Sequence, residues 1–212
     1  MRIIFVLFLA VFAFGEITAK IISVNNDIAR IDKKIKTGIS GVALCPYMDE
    51  KIICARAVAK GDLVKFYSYE TLKNEAFALP IVTPKKGDEI IFGKDYDRIM
   101  IIAPNQQEYL NIKNKYKNNT IISPDVFAAF LDDMPNVNNF RKFADLMNIG
   151  RYIFVIDNHV YEVDSYSFYV INSHKIKNSS KYTKAFFTYF SNFDITDKNI
   201  ENYYLDLLKG LK

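Results

Sequence analysis

The stretch KIICARAVAKGDLVKFYSY, residues 51–69, decides how the first part of this chain folds. In DLVKFYSYE, residues 62–70, apolar and polar residues alternate, which is typical of β-strands that bury only one face. Lys60, Gly61 and Asp62 follow the apolar segment KIICARAVA with residues that favour a turn. We therefore predict two short strands here, joined by a turn at these three residues.

Other short strands are predicted on both sides of this stretch. An Asn-Asn-Asp turn separates the first two of them, so we expect those two to form a hairpin. The segments are ITAKIISV (17–24), IARI (28–31), TGISGVALC (37–45) and NEAFALPIVTPKKGDEIIF (74–92). Short strands with such regular turns predict a small antiparallel β-barrel or meander over residues 16–91.

The first fifteen residues, MRIIFVLFLAVFAFG, have the pattern of a secretory signal peptide. A single basic residue, Arg2, precedes an apolar run, and small residues at Ala13 and Gly15 occupy the two positions that a signal peptidase reads. The run is short for a membrane-spanning helix, although an uncleaved anchor is the alternative. We predict cleavage before Glu16, export to the periplasm or cell surface, and no transmembrane segment in the remaining chain.

The two cysteines, Cys45 and Cys54, fit an exported protein. A turn-forming segment, Pro46 to Glu50, separates two apolar stretches, so the cysteines would face each other across a hairpin and pair in an oxidising compartment. In the chain-entropy model, closing so small a loop stabilises the fold by roughly 2–3 kcal/mol. The alternatives are weaker, because the CxxC spacing of a redox pair is absent and a metal site needs more ligands.

The pattern changes after about Phe92 to strands alternating with helices. DRIMIIAPN (97–105) is a continuous apolar run, as in a strand buried on both faces, and QQEYLNIKNKYKNN (106–119) has helical spacing. A second helix should start at Pro124 with Ser123 as its N-cap and Asp125 favouring the helix start, and a third should end at Gly150. RYIFVIDNHVYEVDSYSFYVI (151–171) predicts two or three strands, turned at Asp157-Asn158. Residues 92–176 are thus predicted to form an α+β module.

The C-terminal part, residues 177–212, combines aromatic residues with an amphipathic pattern. KYTKAFFTYFSNFD (181–194) is dense in Phe and Tyr, and Thr196 is the predicted N-cap of a last helix. The apolar stripe of that helix is Ile200, Tyr203, Tyr204, Leu207, Leu208 and Leu211. Packing on the body of the protein, a partner groove and a membrane surface all suit such a stripe, but the mixed charges opposite it argue against a membrane. The predicted fold class is α+β, with a barrel or meander first and this helix last.

The sequence contains little that points to catalysis. His159 and His174 lie outside recognisable nucleophile and metal motifs, and the sequence has no Gly-rich phosphate loop. Three acidic pairs could serve as acid and base in a hydrolase, but they fall in expected loops or helix ends: Asp95 with Asp97, Asp132 with Asp133, and Asp49 with Glu50. We therefore predict no enzyme, no catalytic residues, no cofactor and no metal. A net charge of +4 with interleaved signs predicts no nucleic-acid surface.

Several long stretches resemble the N-terminal domain of bacterial surface plasminogen-binding proteins of the plasminogen-binding protein A type. They are TGISGVAL (37–44), ARAVAKGDLVKF (55–66), PKKGDEIIFGKDYDRIMIIAPNQQEY (84–109), ISPDVFAAFL (122–131) and NIGRYIFVIDNHVYEVDSYSF (148–168). The order and spacing of these stretches carry the resemblance, which runs from about Ile17 to Ile171.

The resemblance implies capture of host plasminogen at the cell surface, generally through lysine. A kringle lysine pocket pairs with an ammonium and a carboxylate and takes the methylene stem in an aromatic trough. A C-terminal lysine such as Lys212 offers all three, whereas an internal lysine such as Lys209 needs a neighbouring acidic side chain. The family's named binders carry a long lysine-rich segment after this domain, which the present sequence lacks.

Two hypotheses therefore stay open. In the first, the chain is an exported binding protein that captures plasminogen through Lys212, with Lys209 as a second candidate. In the second, it is a periplasmic scaffold that binds another cell-envelope component.

Overall fold

The computed structural model describes residues 15–69, 82–177, 179–197 and 199–211. The predicted leader, apart from Gly15, lies outside the described residues, and so do Lys212 and part of the segment 74–92. Within the described ranges, no helix is both long enough and apolar enough to cross a membrane.

Five antiparallel strands close into a barrel in the first half of the chain. They are β1 (Ile17–Asn25), β2 (Ile28–Ile35), β3 (Ser40–Tyr47), β4 (Glu50–Tyr67) and β5 (Glu89–Phe92). Around the barrel the order is β1-β2-β4-β3-β5, and β5 closes it by pairing with β1. The predicted β1–β2 hairpin is confirmed, and of the two predicted architectures the structure has the barrel.

The predicted turn at Lys60-Gly61-Asp62 is wrong, because β4 runs through it as one strand of 18 residues. Gly61 has a φ of +72°, which glycine adopts without steric cost. Ile35 of β2 lies opposite Gly61, and the β2–β4 register is irregular between Arg30 and Ile35. Before this point β4 pairs with β3, and after it β4 pairs with β2. The bend at Gly61 therefore lets one strand serve two neighbours and close the barrel.

Alanines and larger apolar side chains together fill the barrel interior. The alternation in β4 places Ala55, Ala57 and Ala59 on the inner face, where all three are buried. Isoleucine and phenylalanine residues from the other strands, including Ile90 and Phe92, complete this core. Alanines at these positions suit a barrel of only five strands, since little room remains at its centre.

A second sheet with helices on both faces makes up the rest of the chain. Its elements are β6 (Arg98–Ile102), α1 (Gln106–Lys115), β7 (Thr120–Ile122), α2 (Pro124–Phe130), α3 (Val137–Met147), β8 (Arg151–Ile156), β9 (His159–Asp164), β10 (Val170–Lys175) and α4 (Ile200–Leu207). The strand order is β10-β9-β8-β6-β7, with β6 parallel to both of its neighbours. The mixed architecture confirms the predicted α+β class.

Strand β6 is buried on both faces, as its apolar run predicted. Ile99 and Ile101 pack with residues of α1, whereas Met100 and Ile102 pack with residues of α2, α3 and α4. The turn at Asp157-Asn158, which joins β8 to β9, is also confirmed: both residues have a positive φ.

One helix start is confirmed and one helix end is corrected. The Ser123 side chain caps α2 and Pro124 is its first residue. Helix α3 ends at Met147, and its C-cap is Asn148 rather than Gly150, because Asn148 adopts the left-handed conformation (φ +51°). Gly150 instead permits a close approach, since a Cβ there would lie 2.3 Å from the carbonyl oxygen of Asp95.

The last helix, α4, is shorter than predicted and packs on the second sheet. Its N-cap is Asn199 rather than Thr196, and it ends at Leu207, so Leu211 lies outside it. Ile200 and Tyr204 are buried in the same core as α2 and α3. Three of the six aromatic residues of segment 181–194 join this core too, namely Tyr182, Phe186 and Phe193. The stripe therefore packs on the body of the protein, as the first of the three alternatives proposed.

Candidate protein-binding surface

A buried carboxylate, Asp164, joins the barrel to the second sheet. Its Oδ2 accepts hydrogen bonds from the Ser40 backbone N–H (2.9 Å), the Ser40 hydroxyl (2.7 Å) and the Tyr96 hydroxyl (2.5 Å). Its Oδ1 accepts from the backbone N–H groups of Tyr166 (3.1 Å) and Ser167 (2.7 Å). Burial and the Asp164 charge raise the pKa of Tyr96 well above its usual value, so the phenol stays protonated as a donor. This network holds the loop after β9 against the barrel.

Next to this junction lies a groove of about 550 Å³, which we call the cationic groove. It is lined by Arg56, Tyr67, Ser68, Asn138, Arg141, Lys142, Asp145 and Tyr166. Four of these residues lie on α3 at spacings of three and four, so they form one face of that helix. Arg56, Tyr67 and Ser68 come from the barrel side, on and just after β4, and Tyr166 comes from the loop that Asp164 anchors.

Two guanidinium groups pack against the ring of Tyr166. The Cζ of Arg56 lies 4.5 Å from the centroid of its ring, and the Cζ of Arg141 lies 5.2 Å from it. Tyr67 meets the same ring edge-on, with the centroids 5.8 Å apart. Burial raises the pKa of Tyr166, while Arg56 and Arg141 act in the opposite direction. The two rings and the two guanidinium groups thus form a wall of the groove.

Positive charge exceeds negative charge in the cationic groove. Arg56 pairs with Asp145, with 2.7 Å between Nη2 and Oδ1. The Nε of Arg141 donates to the backbone oxygen of Tyr166 (2.5 Å), and Lys142 is exposed. Across the part of the chain that the structure describes, neither Arg141 nor Lys142 forms an ion pair with a carboxylate. These two cationic side chains therefore have no carboxylate partner among the described residues.

Of the two predicted site lysines, the structure describes Lys209. Its backbone N–H donates to the Phe168 oxygen (2.9 Å), and its carbonyl accepts from the Val170 N–H (2.8 Å). Leu208 beside it is buried, whereas the Lys209 residue is exposed. Lys209 is thus an exposed lysine on a backbone segment tied to β10, and Lys212 lies outside the described residues.

Sequence reasoning missed the exposed lysines that have a carboxylate beside them. Lys65 lies 3.5 Å from Asp27, and Lys184 lies 3.5 Å from Asp194, measured from nitrogen to oxygen. In each pair, the neighbouring carboxylate can take the place of the α-carboxylate that an internal lysine lacks. The strand pairing that brings β2 and β4 together creates the first pair, so no local sequence signal marked it.

The predicted disulfide is present, and the predicted acidic pairs lie mostly at the surface. Cys45 and Cys54 are joined across the β3–β4 hairpin, with Cα atoms 5.7 Å apart. Asp49, Glu50, Asp97, Asp132 and Asp133 are exposed, and Asp95 lies 3.7 Å from the ammonium of Lys94. Asp95 and Asp145 line a hollow of only about 50 Å³, in which Asp145 is paired with Arg56. In the described ranges, no three His, Cys, Asp or Glu side chains are grouped as metal ligands.

Comparison with known proteins agrees with the sequence resemblance. The family model described as "Plasminogen-binding protein pgbA N-terminal" matches residues 16–206. The chain belongs to this family. The match continues past Ile171, where the resemblance in the sequence ended, through the aromatic segment and most of α4. The whole cationic groove lies inside the matched range, whereas Lys209 and Lys212 lie beyond it.

Two curated relatives share this region. Plasminogen-binding protein PgbA of Helicobacter pylori strain J99 is 26% identical over 169 residues, which cover 77% of this chain and 37% of the relative. The protein of the same name from strain 26695 is 26% identical over 134 residues, covering 63% of this chain and 29% of the relative. The chain therefore spans about a third of the length of these relatives. No solved structure matches the chain.

Proposed function

We propose that the chain is an exported, non-enzymatic protein that captures plasminogen through lysine side chains. Membership of the plasminogen-binding protein family over residues 16–206 is the observation that carries this proposal. Both curated relatives are named for plasminogen binding. Export is supported by the leader pattern of residues 1–15 and by the disulfide between Cys45 and Cys54.

The proposal assigns the contact with a kringle lysine pocket to Lys212 and Lys209. Lys209 is exposed on a backbone segment tied to the body of the protein, so binding there loses little backbone freedom. Lys212 supplies an ammonium together with a free α-carboxylate in any protein that ends at this residue. The pairs Lys65–Asp27 and Lys184–Asp194 are secondary candidates, since each offers both charges on folded surface.

Binding of residues 16–212 to immobilised plasminogen tests the proposal. We expect saturable binding that 6-aminohexanoate, a lysine analogue, displaces completely, because the analogue occupies the kringle pocket. Binding that the analogue leaves unchanged would remove lysine from the mechanism, and no binding at all would remove plasminogen as the partner of this chain.

Location is tested separately in intact cells that express the full chain. We expect added protease to degrade the protein without lysis if it lies on the outer surface. Protection until the outer membrane is opened would place it in the periplasm and favour the alternative function, a scaffold that binds another cell-envelope component. The observation that favours this alternative is the cationic groove, in which Arg141 and Lys142 form no ion pair with any carboxylate that the structure describes.

A further inference from the structure

We propose that the cationic groove binds an acidic peptide segment of a partner protein. This site is distinct from the proposed capture of plasminogen, in which lysines of this chain enter a pocket of the partner. Here the cations line the recess and the carboxylates come from the ligand. The two kinds of binding therefore have opposite electrostatic requirements and can be separated by experiment.

The charges in the groove favour an anion. Asp145 neutralises Arg56, which leaves the guanidinium of Arg141 and the ammonium of Lys142 in excess. The Nε of Arg141 is committed to the Tyr166 backbone, which fixes the orientation of the guanidinium while its Nη groups form no hydrogen bond to any described residue. An oriented guanidinium of this kind can donate two parallel hydrogen bonds to one carboxylate.

The aromatic wall favours a peptide over a free inorganic anion. Tyr67 is 40% exposed, and its ring meets that of Tyr166 within the groove. Peptide backbone and apolar side chains can pack on these rings, and the Ser68 and Asn138 side chains add polar groups for a peptide backbone. A volume of about 550 Å³ also far exceeds what one small oxyanion would fill.

The architecture holds the two walls of the groove in a fixed relation. The Arg56–Asp145 ion pair crosses from β4 to α3, and its side chains are 16% and 35% exposed. Asp164 anchors the loop that carries Tyr166 through the backbone N–H of that residue. A recess whose walls are already in place binds with less loss of conformational freedom than one that must assemble around its ligand.

A labelled acidic peptide, Gly-Asp-Tyr-Glu-Asp-Gly, tests the proposal by fluorescence anisotropy against residues 16–212. The matched peptide Gly-Asn-Tyr-Gln-Asn-Gly has the same shape without the three carboxylates. We expect the acidic peptide to bind at least roughly tenfold more tightly than its neutral counterpart, because each charge-assisted hydrogen bond is worth about one order of magnitude in affinity. Equal affinity for the two peptides would overturn the proposal.

Two groove variants and one distant control locate the site. Lys142→Gln, on the exposed face of α3, should weaken binding of the acidic peptide roughly fivefold, and Arg141→Gln roughly tenfold or more. Lys86→Gln makes the same charge change at an exposed position between residue 82 and β5 and should leave the affinity unchanged. If Lys86→Gln weakened binding as much as Lys142→Gln, the attraction would be diffuse rather than local, and the groove would not be the site.

Competition with sulfate distinguishes a peptide site from an oxyanion site. At matched ionic strength, we expect sulfate to displace the peptide no better than chloride does. Displacement by sulfate at concentrations near those of the peptide would overturn the assignment to a peptide. None of these readouts uses plasminogen, so failure of lysine-mediated capture would leave them intact, and their failure would leave lysine-mediated capture intact.

Discussion

Asp164 shows how much of the junction between the barrel and the second sheet rests on one side chain. It is fully buried, and both of its oxygens are occupied by donors from Ser40, Tyr96, Tyr166 and Ser167. Removing its charge leaves these donors facing a weaker acceptor, and removing its oxygens leaves them unpaired.

Replacing Asp164 by Asn should therefore lower the free energy of unfolding by about 2–4 kcal/mol, because the amide nitrogen presents hydrogens to groups that are themselves donors. Ser40→Ala, which removes only one hydroxyl from the same network, should cost about 1 kcal/mol. Urea denaturation followed by circular dichroism measures both values. Equal losses for the two variants would show that Asp164 has no special role at the junction.

The role of a single residue could be predicted from the sequence when its hydrogen-bond partners are close to it in the chain. Ser123 caps α2 through the N–H of Asp125, two residues away, and the Ser-Pro-Asp pattern was enough to place it. The partners of Asp164 include Ser40, 124 residues away, and Tyr96, 68 residues away, so no pattern in one segment identified the network. The same holds for the cationic groove, since Arg56, Arg141 and Tyr166 meet only through the fold.

Among the elements, the β3–β4 hairpin combines a correct prediction with a wrong one. The cysteines and the turn between them marked the hairpin, because its contacts are close in sequence. The continuation of β4 through Gly61 depends on β2 being available as a second partner, and the sequence around Gly61 looks like any short turn. The choice between strand and turn is made there by tertiary pairing rather than by local preference.

Removing the disulfide should destabilise the protein without changing its fold. Cys45→Ser combined with Cys54→Ser should lower the free energy of unfolding by roughly 2–3 kcal/mol, the value expected for a loop of this size. Adding a reductant to the unaltered protein should lower its stability to that of the double variant. If the reductant left the stability unchanged, the two sulfurs would not be paired in solution.

The aromatic segment is held to α2 by Asp125, and we expect that contact to weaken in acid. Burial alone would raise the pKa of this carboxyl, but hydrogen bonds from the hydroxyls of Thr188 and Ser123 and the N–H of Tyr189 outweigh it and lower the pKa. A carboxyl whose pKa is lowered by folding stabilises the protein at pH values above its pKa in the unfolded chain, which is near 4. That contribution is lost as the pH falls through the pKa in the folded protein.

Chemical denaturation of the unaltered protein and of Asp125→Asn at several pH values tests this expectation. The stability difference between the two should be largest at neutral pH and should shrink as the pH falls below about 4. A difference that stayed constant from neutral to acid pH would show that the charge of Asp125 contributes nothing to the contact.

On the scale of the whole molecule, the order of strands and helices predicted the α+β class, but the sequence did not decide between a barrel and a meander. Closure depends on pairing β1 with β5, whose partners Ile17 and Phe92 lie at opposite ends of the first half. The predicted module boundaries at residues 91 and 176 stay predictions. Whether the halves fold independently remains a prediction, and the Asp164 and Arg56–Asp145 contacts argue for one cooperative unit.

Four buried tyrosines should make the whole molecule sensitive to alkali. Burial raises the pKa of Tyr96, Tyr152, Tyr182 and Tyr204 well above its usual value. A group whose pKa is raised by folding contributes its full stabilisation at pH values below its pKa in the unfolded chain, which is near 10 for tyrosine. That stabilisation is lost as the pH rises above this pKa. We therefore expect unfolding to become steeply favourable above about pH 10.

Tyrosinate absorbance and circular dichroism, recorded together during an alkaline titration, test this expectation. The last tyrosines to ionise should do so in step with the loss of secondary structure, and Tyr152→Phe should make the pH dependence less steep. Complete ionisation of all the tyrosines while the secondary structure persists would contradict the burial of these four.

The central claim is that the protein binds plasminogen through lysine. The most direct test compares three versions of the protein on immobilised plasminogen: residues 16–212, residues 16–211, and residues 16–212 with Lys209→Gln. We predict that 6-aminohexanoate abolishes binding of the first, that removal of Lys212 weakens binding most, and that Lys209→Gln weakens it less, because the internal lysine lacks an α-carboxylate. Equal binding by all three, indifferent to the analogue, would contradict the claim and direct attention to the cationic groove and an envelope partner.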